Sequence, residues 1–133
     1  MDLCALVDTV RVALNRELEH DVGLTLAENL VLCQVAMAPQ QRLRMVDIAG
    51  RLSVAKSAVT KTVDRLEERG LLARQRDSAD RRSVYASLTE EGAKVFAASQ
   101  PVFVGAVDRH FSDPLSATDL AQFQRLSERV LRP

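Results

Sequence analysis

Tryptophan is absent from this 133-residue chain, and aromatic residues make up only 4% of it. A core without large rings has to be assembled mostly from Leu, Val and Ala, a palette that suits helices. The two cysteines, Cys4 and Cys33, are too few for a disulfide framework. No apolar run approaches the roughly 18 residues of a membrane span. The start, Met1-Asp2-Leu3-Cys4, lacks the basic residues and apolar stretch of a signal peptide. The expectation is a cytoplasmic protein with no membrane partner. A Gly-rich phosphate loop is missing, as is any Ser, His and Asp spacing typical of a hydrolase. His20 and His110 stand alone, with no Cys or His at ligand spacing. No enzyme activity, cofactor or metal is therefore expected.

Excess charge of one sign is also lacking, since the formal net charge is zero. The balance hides a segregation. Residues 51–82 hold nine Lys or Arg against five Asp or Glu, a local surplus of four positive charges. A basic middle in an acidic frame fits a DNA reader with a separate dimerisation body. A chance cluster of solvated charge would give the same count.

What is present is a set of helical stripes. Leu3, Val7, Val10, Leu14 and Leu18 recur every three or four residues, predicting a helix that ends near Gly23. Thr25 to Glu28 reads as a capping box opening a second helix, which stops near Pro39. Gln40-Gln41-Arg42 reads as a polar connection. A third helix is predicted from about Arg44 to Leu52 and a fourth from about Ala55 to Arg69, with Gly70 just past its end. Two extended segments follow, 71–77 and 83–88, joined by the turn-forming Ser78-Ala79-Asp80. Thr89 caps a long helix running to about Phe111, with Pro101 expected to kink it. Ser116 opens a last helix striped by Leu120, Phe123, Leu126 and Val130. The expected fold is mainly α with a small β-hairpin wing.

The third and fourth helices have the spacing of a packed pair, with Ala49 at their close crossing. On the fourth, Val59, Val63 and Leu66 form the core face, while Lys56, Ser57, Thr60 and Lys61 point outward near its N-terminus. A recognition helix presents that end to base edges in the major groove. Lys reaches guanine or phosphate, and Ser or Thr serves either. Arg65 continues the same basic helix. Arg74 and Arg76 on the first strand, with Arg81 and Arg82 at the tip, would neutralise phosphates or enter a narrow minor groove. A free carboxylate at such a tip would be repelled by DNA. Asp80 is therefore expected to orient an arginine, in the tip or at Arg65 or Arg69, through a charge-assisted bond.

From Leu24 to about Phe96 the chain resembles the MarR family of regulators. The resemblance rests on Leu24-Thr25-Leu26-Ala27, on Val63-Asp64-Arg65-Leu66-Glu67-Glu68-Arg69-Gly70-Leu71-Leu72, and on 80–92, which begins Asp80-Arg81-Arg82 and ends Leu88-Thr89-Glu90-Glu91-Gly92. It implies a single domain over 1–133: a winged helix-turn-helix core at 24–96, with dimerisation helices at 1–20 and 97–133. It also implies a homodimer on a pseudo-palindromic double-stranded DNA operator, usually as a repressor released by an effector. Family members bind small aromatic acids between the dimer body and the winged lobe. Candidate lining residues here lie on the second helix and at the start of the long one. Independently of the family, the first and last helical stripes exceed what so small a domain can bury, and a twofold partner is the simplest cover.

Two departures stand out. Ser53 occupies a turn position where the family often has Gly, and Ala55 stands where the recognition helix usually begins with Ser or Thr. Ser53 is expected either to cap that helix in place of Ala55 or to leave a phosphate contact unmade. Two alternatives remain beside the operator reading. One is a thiol-based oxidant sensor using Cys4, since a helix N-terminus activates a thiol. The peroxide-sensing branch of the family also uses tyrosines, however, and the one tyrosine here, Tyr85, lies on the wing. Cys33 reads as a small buried hydrophobe. The other alternative is a protein-interaction module that kept the fold and lost DNA binding.

Overall fold

A computed structural model describes residues 2–132; the outer ends of the expected dimerisation segments, residues 1 and 133, lie outside them. Among the described residues the order is α1 (Leu3–Val22), α2 (Leu26–Ala36), β1 (Arg42–Arg44), α3 (Met45–Leu52), α4 (Lys56–Glu68), β2 (Leu72–Arg76), β3 (Val84–Leu88), α5 (Glu90–Val107) and α6 (Ala117–Leu131). The expected mainly helical fold with a hairpin wing is what forms.

Local chemistry sets the helix ends. Thr25 and Glu28 make a reciprocal capping box at the start of α2, and Ser116 and Asp119 do the same for α6. Thr89 holds the junction between wing and α5. Its hydroxyl donates to Gly70 O at 2.6 Å and accepts from Gly92 N at 2.9 Å. Gly92 is needed because a Cβ there would run into the carbonyl oxygen of Leu71.

Three features depart from expectation. Residues 42–44 form a strand, not a polar link and helix start. β1 joins the free edge of β3, pairing Leu43 with Ala86, so the wing belongs to a three-stranded sheet of order β1-β3-β2. Three residues are too few to show a period, and the strand exists because β3 offers unpaired backbone groups. Next, the α-helical part of α5, with Pro101 inside it, ends at Val107, and the chain continues as one π-helical turn over Asp108–Ser112. From that turn Arg109 and His110 reach the Glu17 carboxylate of α1. Finally, Ser53 does not cap α4. It ends α3 in the left-handed region, at φ 53° and ψ 44°, which explains why glycine suits this turn. Ala55 takes the N-cap of α4 without a side-chain bond.

The apolar residues gather in two clusters. One, including Val31, Leu32, Ile48, Val63, Leu66 and Leu72, fills the winged lobe. The other joins Leu14 and Leu18 of α1 to Leu26 and to Ala106 of α5. The α1 stripe is only partly used: Leu14 and Leu18 are buried in the second cluster, whereas Leu3 and Val7 are exposed.

Candidate nucleic-acid interface

The hydrophobic face of α4 is committed to the core through Val59, Val63 and Leu66. Its other face is therefore turned out, and Lys56, Ser57, Lys61 and Arg65 are exposed on it. Thr60 is half-buried, and its hydroxyl donates to Lys56 O at 3.0 Å, which leaves the oxygen available mainly as an acceptor. Arg65 sits apart from the wing. It borders a broad groove shared with Asn15 and Glu19 of α1.

The N-terminal half of α4 and the wing enclose a cleft of about 290 Å³, whose lining includes Arg44, Lys56, Thr60, Arg74 and Arg82. It has four cationic side chains and no carboxylate in its lining. Arg44 and Arg74 are paired with carboxylates behind the wall, and Lys56 and Arg82 leave positive charge facing one solvent-filled space, which favours an anion. Arg76 and Arg81 are exposed on the flank and tip of the wing.

Arg74 is placed by its neighbours. Its guanidinium bonds Asp64 at 2.5 Å and Glu67 at 3.2 Å, and its backbone N–H also donates to Glu67. Burial works against this cation, but the bonds and charges of Asp64 and then Glu67 outweigh it and raise its pKa above the ordinary guanidinium value. The side chain thus ties β2 to α4 from the floor of the cleft.

Asp80 orients backbone, not an arginine side chain. Its Oδ1 accepts from the Arg82 N–H at 3.0 Å, and its Oδ2 from the Ser83 hydroxyl at 3.2 Å. A carboxylate this short reaches its own backbone two residues on before it reaches another element. The result is a closed turn that projects Arg81 and Arg82. Arg69 is occupied elsewhere, with Glu28 and Gly23 O.

Sequence reasoning missed Arg42 and Arg44. Both lie over the Tyr85 ring, at 4.5 and 5.5 Å from its centroid, and Arg44 Nε donates to the Tyr85 hydroxyl at 3.2 Å. Arg44 also pairs with Asp77 at 3.5 Å. The signal was the alternation Arg-Leu-Arg with one buried Leu, legible only once the strand is known.

Cys4 is exposed in the first turn of α1, where Asp2 supplies the cap by accepting from the Cys4 N–H. Cys33 is half-buried, with its thiol 3.7 Å from the Met37 sulfur. Among the described residues no group of three or more His, Cys, Asp and Glu could hold a metal, and no helix is long and apolar enough to cross a membrane.

A second cavity, of about 500 Å³, separates the winged lobe from the helical body. Arg11 and Leu14 of α1, Leu30 of α2, Val59 and Thr62 of α4 and Phe103 of α5 line it. The second helix contributes as expected, but α5 does so from its later half and not from its start. Arg11 is the one charged side chain in this lining.

Residues 24–84 match the MarR family model. The chain is 32% identical to the transcriptional regulator HosA of Escherichia coli over 96 residues, which are 72% of this chain and 70% of that protein. It is similar to a MarR family regulator from Streptomyces coelicolor solved in complex with DNA: TM-score 0.87, 28% identity, covering 98% of this chain and 83% of the other. It is also similar to CouR from Rhodococcus jostii bound to p-coumaroyl-CoA: TM-score 0.83, 27% identity, covering 98% and 90%. A winged lobe, a cationic cleft on the face of α4 and relatives that regulate transcription agree, and the chain belongs to the MarR family of transcriptional regulators.

Proposed function

We propose that this protein is a homodimeric, sequence-specific binder of double-stranded DNA that represses by occupying a pseudo-palindromic operator and is released by a small anionic effector. The cationic cleft between α4 and the wing carries the reading. Lys56, Ser57, Thr60 and Lys61 meet base edges and nearby phosphates, and Arg44, Arg76, Arg81 and Arg82 meet backbone phosphates. Arg74 and Asp80 hold the wing in position for them. The relative from Streptomyces coelicolor, solved with DNA, supports this use of the fold.

The surface left uncovered supports the dimer. No residue of α6 is buried, and its stripe of Phe123, Leu126 and Val130 is exposed beside Leu131. Leu3 and Val7 of α1 are exposed as well, and a twofold partner would bury these apolar surfaces. The two recognition helices then stand about 34–36 Å apart, one turn of duplex.

The cavity beside Arg11 is the effector site in this reading. Its size lies in the range of small-molecule pockets, roughly 300–1,000 Å³. Apolar walls and one guanidinium fit an aromatic or otherwise flat apolar acid, and CouR bound to an acyl-CoA is a related precedent.

The test is selection of bound duplexes from a random pool, followed by affinity measurements across salt. Binding should weaken steeply with salt, and Arg82→Ala or Lys61→Ala should each reduce the logarithmic slope by about 1 per lost phosphate contact. Failure to enrich any duplex, or unchanged salt dependence in both variants, overturns the reading.

A further inference from the structure

At the far end of α4 from the cleft, Arg69 joins parts of the fold distant in sequence. Its Nη1 donates to Gly23 O at 2.9 Å, 46 residues away, and to Glu28 Oε2 at 3.2 Å. Gly23 ends α1 in the left-handed region, at φ 68°. Glu28 is a buried carboxylate, with its side chain 8% exposed, and its other oxygen accepts from the Thr25 N–H at 3.3 Å. The capping box of α2, the end of α1 and the end of α4 therefore meet at one guanidinium.

From this junction α1 and α4 run side by side. Arg65 borders the same groove as Glu19 and Asn15. Farther out, the cavity of about 500 Å³ separates Arg11 and Leu14 from Ala58 and Thr62. At 1.5 Å per residue, Ala58 lies about 16 Å along α4 from Arg69, and Arg11 about 18 Å along α1 from Gly23. Two arms of similar length thus leave a fixed point and flank a cavity that Leu26, Ala27 and Leu30 of α2 also line. Opening them by on the order of 10° would shift the tip of α4 by about 3 Å, close to the 3.4 Å rise of one base step. In a dimer the two tips would move together.

We propose that Arg69, anchored by Glu28, is the hinge pin between winged lobe and helical body, and that this pair sets the half-site spacing the dimer accepts. The assignment rests on the operator reading above. Arg69 is a positioning residue, since it lies at the end of α4 away from the cationic cleft. Without the pin the lobe still folds around its own core, and its angle to α1 is left to α2 alone, through the Leu26 N–H donating to Asn15 Oδ1 at 2.8 Å and the packing of Leu26 on Leu14 and Leu18.

The experiment measures affinities of wild type, R69M and E28Q for the selected operator and for versions with half-sites one base pair closer or farther apart. Wild type should prefer its own spacing by about tenfold or more. R69M should flatten that preference to about threefold or less while keeping the salt slope. E28Q, which keeps the side-chain shape and loses the charge, should fall between them. A double variant should be no flatter than R69M, because both residues serve one contact. An R69M or E28Q dimer that keeps the wild-type spacing profile overturns the pin. So does equal loss of affinity at every spacing, which would mark a merely structural role. A wild type that binds no duplex overturns the operator reading itself, and the spacing assignment falls with it.

Discussion

Arg74 of β2 and Asp64 of α4 form a direct ion pair at 2.5 Å, with Glu67 closing the other side of the same guanidinium. A cation that looks from its neighbours like a phosphate ligand is in this way turned inward. The wing and the recognition helix become one rigid unit, and the outward charge is left to Arg82, Lys56 and Arg44 around the cleft.

Arg74→Met and Arg82→Ala should therefore fail differently. The Arg74 pairs are partly exposed, so their loss should cost only about 1 kcal/mol of stability. Operator affinity should fall because the wing loses its register, while the salt slope stays near wild type. Arg82→Ala should leave stability unchanged and lower the slope. Salt titration with urea unfolding of both variants decides the matter, and a lowered slope in Arg74→Met would return that residue to the phosphates.

Gly92→Ala should destabilise by about 1–3 kcal/mol, because the added methyl meets backbone, the carbonyl of Leu71, and not a side chain that can turn away. The gain in helix propensity, about 1 kcal/mol at most, does not offset this. Chemical unfolding measures the difference, and a stabilised variant would contradict the packing described.

The α3–α4 turn predicts two gains. Ser53→Gly relieves a left-handed residue and should stabilise by about 0.5–1 kcal/mol after the added flexibility of the unfolded chain is subtracted. Ala55→Ser supplies the missing cap and should add about 1 kcal/mol. Thermal melts should rise for both. A lower midpoint for Ala55→Ser would mean that the α4 terminus is not available for capping.

Glu17 gives a pH-dependent contact between α1 and the π-helical turn. The hydrogen bond from Arg109 holds its carboxyl below the ordinary glutamate value of about 4.5, and the bond from His110 adds to it. A carboxyl with a depressed folded pKa contributes stability that is complete well above 4.5 and lost as pH falls below that value and through the folded one. The stability difference between wild type and Glu17→Gln should thus shrink on acidification through that window. Unfolding followed from pH 5 to 3 reads it, and a difference that grows across that range would refute the pairing.

Leu126→Asp places a charge in the uncovered stripe of α6. Sedimentation should show a shift from dimer to monomer, with operator binding lost and the winged lobe still folded, since no residue of α6 is buried in the described chain. An unchanged dimer would move the interface elsewhere.

Much of this architecture is written in short stretches of chain. Thr25 with Glu28, Ser116 with Asp119, and Gly70 after α4 satisfy backbone groups only three or four residues away, so their types alone announce the helix ends. The faces of α4 follow from its period in the same way, which is why Lys56, Ser57 and Lys61 were legible as outward residues. The partners of long charged side chains are not local. Arg74 met Asp64 and Glu67, Arg44 met Tyr85, and Arg69 met Gly23 and Glu28, because the packing of apolar faces brought those groups within a few ångströms. A guanidinium is drawn to whichever acceptor the fold leaves unpaired beside it. Composition announced a basic lobe, but the three-dimensional arrangement chose which arginines brace it and which remain turned to the solvent.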